Sequence, residues 1–118
     1  MKSTPPAGGD LPLEIDVVSV KGMLDAGDDF VLLDCRGEDE HQTASIDAAM
    51  LLPMQELPDR VGELESHRDR HIVVHCHHGG RSMRVTEWLR GNGFPRVQSM
   101  AGGIEEWSNQ VDSGVPRY

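Results

Sequence analysis

The run His71-Ile72-Val73-Val74-His75-Cys76-His77-His78-Gly79-Gly80-Arg81-Ser82-Met83-Arg84-Val85-Thr86-Glu87-Trp88-Leu89-Arg90 passes from a short apolar stretch through two glycines into a segment of helical spacing. Residues His71 to His75 predict a strand buried on both faces, because the apolar run is continuous rather than alternating. From Arg81 to Arg90, Val85, Trp88 and Leu89 fall on one face of a helix, and Gly91-Asn92-Gly93 ends it. A cysteine therefore stands in a strand-to-helix turn.

The same alternation extends outward. Asp16 caps a predicted helix with Val17, Val20, Met23 and Leu24 at helical spacing, and Gly27 stops it. Phe30 to Asp34 reads as another buried strand. A polar stretch from Gly37 to Ser45 and a short apolar run from Ala49 to Leu52 follow. Pro53 opens a helical segment carrying Leu57, Val61 and Leu64, in which Pro58 predicts a break or kink. Val97 to Met100 is a short strand, and Gly102-Gly103 leads into a last helix with Ile104 and Trp107. Strands alternating with helices predict an α/β domain with a central parallel sheet and helices on both faces. Ligands bind such sheets at the carboxyl ends of the strands, where Cys76 lies.

The chain of 118 residues suits one domain, taken as 12–118 behind a flexible Pro/Gly-rich tail over 1–11. The tail lacks the apolar stretch of a signal peptide and every apolar run is too short to span a membrane, so the expected setting is cytoplasmic. Acidic residues outnumber basic ones by 20 to 11, a formal charge of −9. That charge argues against nucleic acid and anionic membrane as partners. Two cysteines, Cys35 and Cys76, are too few for a disulfide framework.

The turn around Cys76 has the parts of an anion cradle. Backbone N–H groups point inward from it and the following helix adds partial positive charge, which would populate the thiolate of Cys76. Gly79 and Gly80 permit tight curvature and close approach. His77, His78, Arg81 and Arg84 form a locally basic rim that could draw in an anionic donor, with Arg84 read as a solvated charge. Three alternatives stand beside this reading. In the first, the turn is purely structural and a cysteine precedes a common Gly-Gly turn by chance. A metal site could use His75, Cys76, His77 and His78, but consecutive residues on a tight turn should diverge and no second ligand pair is spaced for it, so no metal is expected. A binding module that no longer turns over is the third.

Three segments together resemble the rhodanese family, from about Leu13 to Tyr118. Leu32-Leu33-Asp34-Cys35-Arg36 with Glu40-His41 is similar to its first signature, Cys76-x-x-Gly79-x-Arg81-Ser82 to its active-site loop, and Gly102-Gly103-Ile104 with Trp107 and Gly114-Val115-Pro116 to its C-terminal signature. The chain departs from the family at Ala44-Ser45-Ile46-Asp47-Ala48-Ala49, where Gly-His-Ile-Pro-Gly-Ala is usual. The resemblance implies a sulfurtransferase with Cys76 catalytic and His77, His78, Gly79, Gly80, Arg81 and Ser82 binding substrate, without cofactor. Its partners would be a small sulfur donor such as thiosulfate and an acceptor, cyanide, a thiol or a thiol protein. The phosphatase and arsenate-reductase branch of the fold uses Cys-x5-Arg, whereas four residues separate Cys76 from Arg81 here. The shorter loop suits one sulfur atom rather than a tetrahedral oxyanion.

For Arg81 a substrate contact and an ion pair with Glu40 are both open. Asp34, Arg36 and Glu40 are expected to be structural, Trp88 and Trp107 to be core, and His75 to pack at least as readily as to act. The strand order that the resemblance implies makes Phe30–Asp34 and His71–His75 neighbours. Cys35 and Cys76 could then join in a disulfide on oxidation, unless Cys35 points to the opposite face.

Overall fold

A computed structural model describes residues 11–118. The tail expected over 1–11 lies outside the described residues except for Leu11, whose carbonyl accepts a hydrogen bond from Arg90 at 3.0 Å. Five strands form one parallel sheet: β1 (Glu14–Ile15), β2 (Phe30–Asp34), β3 (Met50–Leu51), β4 (His71–His75) and β5 (Val97–Met100), in the order β1-β5-β4-β2-β3. The helices are α1 (Val17–Ala26), α2 (Glu38–Thr43), α3 (Leu57–Arg60), α4 (Gly80–Gly91) and α5 (Gly103–Gln110).

The two central strands are continuous apolar runs because both of their faces are covered. Side chains alternate along a strand. Val31, Leu33 and Cys35 with Ile72, Val74 and Cys76 therefore share one core, closed by Leu57, Leu64, Val85 and Leu89. Leu32 and Val73 face the other way, against Val17 and Val20 of α1 and Ile104 and Trp107 of α5. Trp107 is buried as expected, and Trp88 packs half-buried against the first core.

Local signals place most boundaries. Asp16 accepts from the Ser19 N–H at 2.7 Å, and Gly27, at φ 71°, closes α1. Such a cap is worth about 1 kcal/mol. The segment after Pro53 is broken, as Pro58 predicted: a 3-10 turn at Met54–Glu56, the single turn of α3, then 3-10 helix over Val61–His67. Its Leu57 and Leu64 still reach the core.

Two elements were not expected. Within the polar stretch, Glu38–Thr43 is a helix with no buried residue, so it has no apolar periodicity to read. It is held by electrostatics: Glu38, Asp39 and Glu40 lie in its first turn, and Glu40 Oε1 accepts from the Gly37 N–H at 3.1 Å. The other is β1, only two residues long and defined by its pairing with β5.

Candidate active site

Cys76 follows the last residue of β4, and the chain must then turn to begin α4 at Gly80. The turn runs through Gly79 at φ 111°, a left-handed conformation that side chains resist. Its consequence is a cradle. The Gly79 N–H donates to Cys76 Sγ at 3.0 Å and the Ser82 N–H at 3.3 Å. Of the N–H groups of residues 77 to 82, these two bond to the sulfur. The Ser82 hydroxyl lies 3.4 Å from Sγ and 2.7 Å from the Ser99 hydroxyl on β5. With the sulfur ionised, Ser82 can turn its proton toward it while Ser99 donates to Ser82.

Why the N–H groups face the sulfur is settled from below, by α5. Its Ile104 N–H donates to the Cys76 carbonyl at 2.9 Å and its Glu105 N–H to the His77 carbonyl at 3.1 Å. Both carbonyls are drawn away toward the helix N-terminus. Gly102 and Gly103, at φ 78° and 60°, let that terminus come so close.

Electrostatics favour the thiolate. The Cys35 thiol beside it, then the Ser82 and Gly79 donors, hold Cys76 well below the ordinary thiol range against the burial that would raise it. Cys35 moves the opposite way: the neighbouring Cys76 and burial push it up, so it stays protonated. Each cysteine is 1% exposed, and the two lie on the same face of the sheet. The alternative that Cys35 points to the opposite face is therefore excluded.

Arg81 is committed. Its guanidinium grips both oxygens of Glu40, at 2.7 and 2.8 Å, and Glu40 Oε2 also accepts from the Tyr118 hydroxyl at 2.8 Å. These contacts pull the Glu40 carboxyl down to about 2, with Arg81 the principal cause. Beneath them Arg36 is fully buried with every N–H used: Asp34 takes Nε and one Nη2 proton, the Ala44 and Glu40 carbonyls and Tyr118 Oη take the rest. A buried cation stripped of such partners would be strongly destabilising. The chain Asp34–Arg36–Tyr118–Glu40–Arg81 thus ties β2, α2 and Tyr118 to the start of α4. Tyr118 and Ser99 carried no motif and escaped sequence reasoning.

The histidines divide. His75 is fully buried beside Asp34, on the face opposite Cys76, so strand alternation keeps it from the sulfur. Burial lowers its pKa. His77 is sandwiched between the rings of His78 and Tyr118, with centroids 3.8 and 3.9 Å away. The expectation that neighbouring side chains of this turn diverge fails for these two, because the Tyr118 face gives His77 a stack to join. With Glu105 they bring one ligand atom each within 4.8 Å of one another. Imidazole lone pairs lie in the ring plane, however, so stacked rings do not converge on one ion, and Arg117 holds Glu105 Oε2 at 2.7 Å. Arg84 is exposed.

The two loop glycines are not equivalent. A Cβ at Gly80 would meet nothing within 4 Å and its backbone is right-handed, so curvature does not depend on it. At Gly79 a Cβ would sit 3.4 Å from the Gly102 nitrogen with φ at 111°. Gly80→Ala is expected to leave the unfolding free energy within about 0.5 kcal/mol of wild type, whereas Gly79→Ala loses about 1–2 kcal/mol to the left-handed backbone. Chemical denaturation of both variants checks the contrast.

This fold and loop define a rhodanese-like domain. The family model described as rhodanese-like domain matches residues 16–110, and the chain belongs to that family. It is 34% identical over 95 residues to the chloroplastic rhodanese-like/PpiC domain-containing protein 12 of Arabidopsis thaliana, covering 77% of this chain and 31% of that protein. A tRNA uridine(34) hydroxylase of Citrobacter koseri is 31% identical over 107 residues, 86% of this chain and 30% of its own length. The chain thus spans about a third of these curated relatives. Among solved structures, a rhodanese-related protein of Thermoplasma volcanium superposes with a TM-score of 0.73 at 28% identity, covering 83% of this chain and 92% of that one. A thiosulfate sulfurtransferase of Pseudomonas aeruginosa gives 0.73 at 33% identity, covering 81% of this chain and 18% of its own. No helix among the described residues is long and apolar enough to cross a membrane.

Proposed function

We propose that the protein is a sulfurtransferase that takes sulfane sulfur from a small anionic donor such as thiosulfate onto Cys76 and passes it to a thiophilic acceptor. The observation that carries this reading is the pair of N–H groups from Gly79 and Ser82 trained on the Cys76 sulfur. The thiolate attacks the outer sulfur of the donor, sulfite departs with the bonding pair, and Cys76 is left as a persulfide anion. An acceptor nucleophile, cyanide or a thiol, then takes the outer sulfur and restores the thiolate. This is covalent catalysis in two half-reactions. The cradle serves the charge on sulfur as an oxyanion hole serves oxygen. His77, His78, Gly79, Gly80, Arg81 and Ser82 form the rim and floor of the donor site; of these, Arg81 acts by positioning the loop through Glu40. A similar protein of Pseudomonas aeruginosa carries the name thiosulfate sulfurtransferase, which accords with this chemistry.

Phosphoryl chemistry fits poorly. A phosphate cradle of the Cys-x5-Arg kind sets its arginine over the oxyanion, whereas here the Arg81 guanidinium is turned onto the Glu40 carboxylate through both Nη atoms. Nor does the net charge of −9 suit an RNA substrate on this domain, so the tRNA chemistry in the name of the bacterial relatives is not proposed for it.

Intact mass after thiosulfate treatment tests the reading. One added sulfur atom is expected immediately after mixing, removed as thiocyanate by cyanide added at that point, together with negligible hydrolysis of aryl phosphates. Inserting one glycine between Gly79 and Gly80 should weaken the transfer. Hydrolysis of a phosphate ester through Cys76 faster than sulfur transfer would overturn it.

A further inference from the structure

Cys35 has no part in the two half-reactions above, yet its thiol lies beside the nucleophile. Strands β2 and β4 run in parallel register up to the pair Asp34 and His75, and the Cys35 N–H donates to the His75 carbonyl at 3.1 Å. Cys35 and Cys76 are thus the next residues on adjacent chains. Neighbouring strands lie about 4.8 Å apart, within the roughly 4.4–6.8 Å between Cα atoms that a disulfide spans. Both side chains enter the same core cluster, and Cys35 is fixed from its other side by the Met54 N–H on its carbonyl at 2.9 Å. Elsewhere in this core the same positions hold Val31, Leu33, Ile72 and Val74, so packing alone asks for no sulfur.

We propose that Cys35 resolves the Cys76 persulfide, expelling its outer sulfur as sulfide and leaving a Cys35–Cys76 disulfide that an external thiol reduces. The step rests on the persulfide reading above and adds an outcome to it. The Cys35 sulfur bonds to Cys76 Sγ, the bond from Sγ to the outer sulfur breaks, and the outer sulfur keeps the bonding pair. The Cys35 proton passes to that anionic sulfur, which leaves as hydrosulfide. The persulfide anion is thus the base: the proton moves first, and the attacking form of Cys35 is the thiolate. The sulfane sulfur is reduced to sulfide and the two cysteines are oxidised. Two external thiols then return both cysteines and become a disulfide themselves. The net reaction is thiosulfate plus two thiols giving sulfite, sulfide and an organic disulfide. Attack falls on the inner sulfur because the Gly79 and Ser82 donors lie on the loop side of Cys76 and Cys35 on the β2 side. Fixed neighbours of this kind react as if at very high concentration.

The test is a single turnover on the full chain with one equivalent of thiosulfate and neither thiol nor cyanide. Sulfide is measured as methylene blue and the protein by intact mass. Wild type is expected to release one sulfide per chain and to end lighter than the reduced protein by two hydrogens. Cys35→Ser and Cys35→Ala, two variants so that one folding failure decides nothing, should hold the added sulfur and release about tenfold less sulfide or lower. Wild type that keeps its persulfide as long as the variants, while cyanide still yields thiocyanate, overturns the resolving step and leaves the transfer reading standing. No added sulfur in any of the three proteins overturns the transfer reading and this step with it.

Discussion

Cys76→Ser is expected to bring thiosulfate-to-cyanide transfer down to the uncatalysed background, a loss of about a thousandfold or more. A serine hydroxyl in the same cradle stays protonated and cannot hold a sulfane sulfur. Cys35→Ser should keep much of the transfer, because cyanide takes the outer sulfur directly from Cys76. Thiocyanate formation measures both, and comparable rates in the Cys76 variant would end the assignment. The pH dependence carries a sign. The Cys76 pKa is lowered, so its thiolate persists throughout the neutral range and disappears only as pH falls through the lowered value. Iodoacetamide alkylation of wild type is therefore expected to be flat across neutral pH and to drop only in acid. Cys35→Ala removes the thiol that does most to hold that thiolate, and its acid limb should move to higher pH.

What the sequence made legible follows from which interactions are local. The strands β2 and β4 were readable because burial on both faces demands unbroken apolar runs, and α1 because its cap, apolar spacing and terminal glycine agree. The cysteine turn was readable for the same reason: strand, two glycines and helix follow in eight or so positions, and the principal donors to the sulfur come from that one stretch. The helix α2 was not readable. It buries nothing, and besides the acids of its first turn it is held by the grip of Arg36 on the Ala44 and Glu40 carbonyls, an arginine that composition would place on the surface.

The parts of the site that escaped are long-range. Ser99 extends the Cys76–Ser82 hydrogen bonding from a neighbouring strand, and Tyr118 links His77, Glu40 and Arg36, the last of them 82 positions away. A single sequence has no periodicity or spacing that brings such residues together. The role of Arg81 shows the same limit. Only three-dimensional proximity brings the ion pair to light, a bidentate grip of Arg81 on Glu40. Partly exposed, such a pair adds only about 0–1 kcal/mol to stability. Its value is orientation: it fixes the first turn of α4, from which the Ser82 N–H reaches the sulfur.

Gly103→Ala is expected to damage both stability and sulfur chemistry, although residue 103 touches no substrate. A Cβ there would stand 2.5 Å from the carbonyl oxygens of Cys76 and His77, which are backbone atoms without freedom to swing aside. The left-handed φ of 60° adds about 1–2 kcal/mol for alanine, and the overlap about 1–3 kcal/mol more. A fall in the thermal midpoint on the order of 10 °C should follow. The relief open to the chain is to push the start of α5 away from the loop. That loosens the Ile104 and Glu105 bonds to the two carbonyls and lets the cradle turn its N–H groups off the sulfur. A misplacement of about 1 Å at a reacting group costs about a hundredfold in rate. Gly102→Ala separates the two effects. Its Cβ would meet the Glu106 side chain at 2.3 Å, atoms that can rotate away, so stability should suffer from the left-handed φ while the loop carbonyls stay bonded. Melting curves together with thiocyanate rates at a temperature where all three proteins are folded make the comparison. If Gly103→Ala melts lower yet transfers sulfur as fast as Gly102→Ala, the clamp of α5 on the cysteine loop serves stability alone.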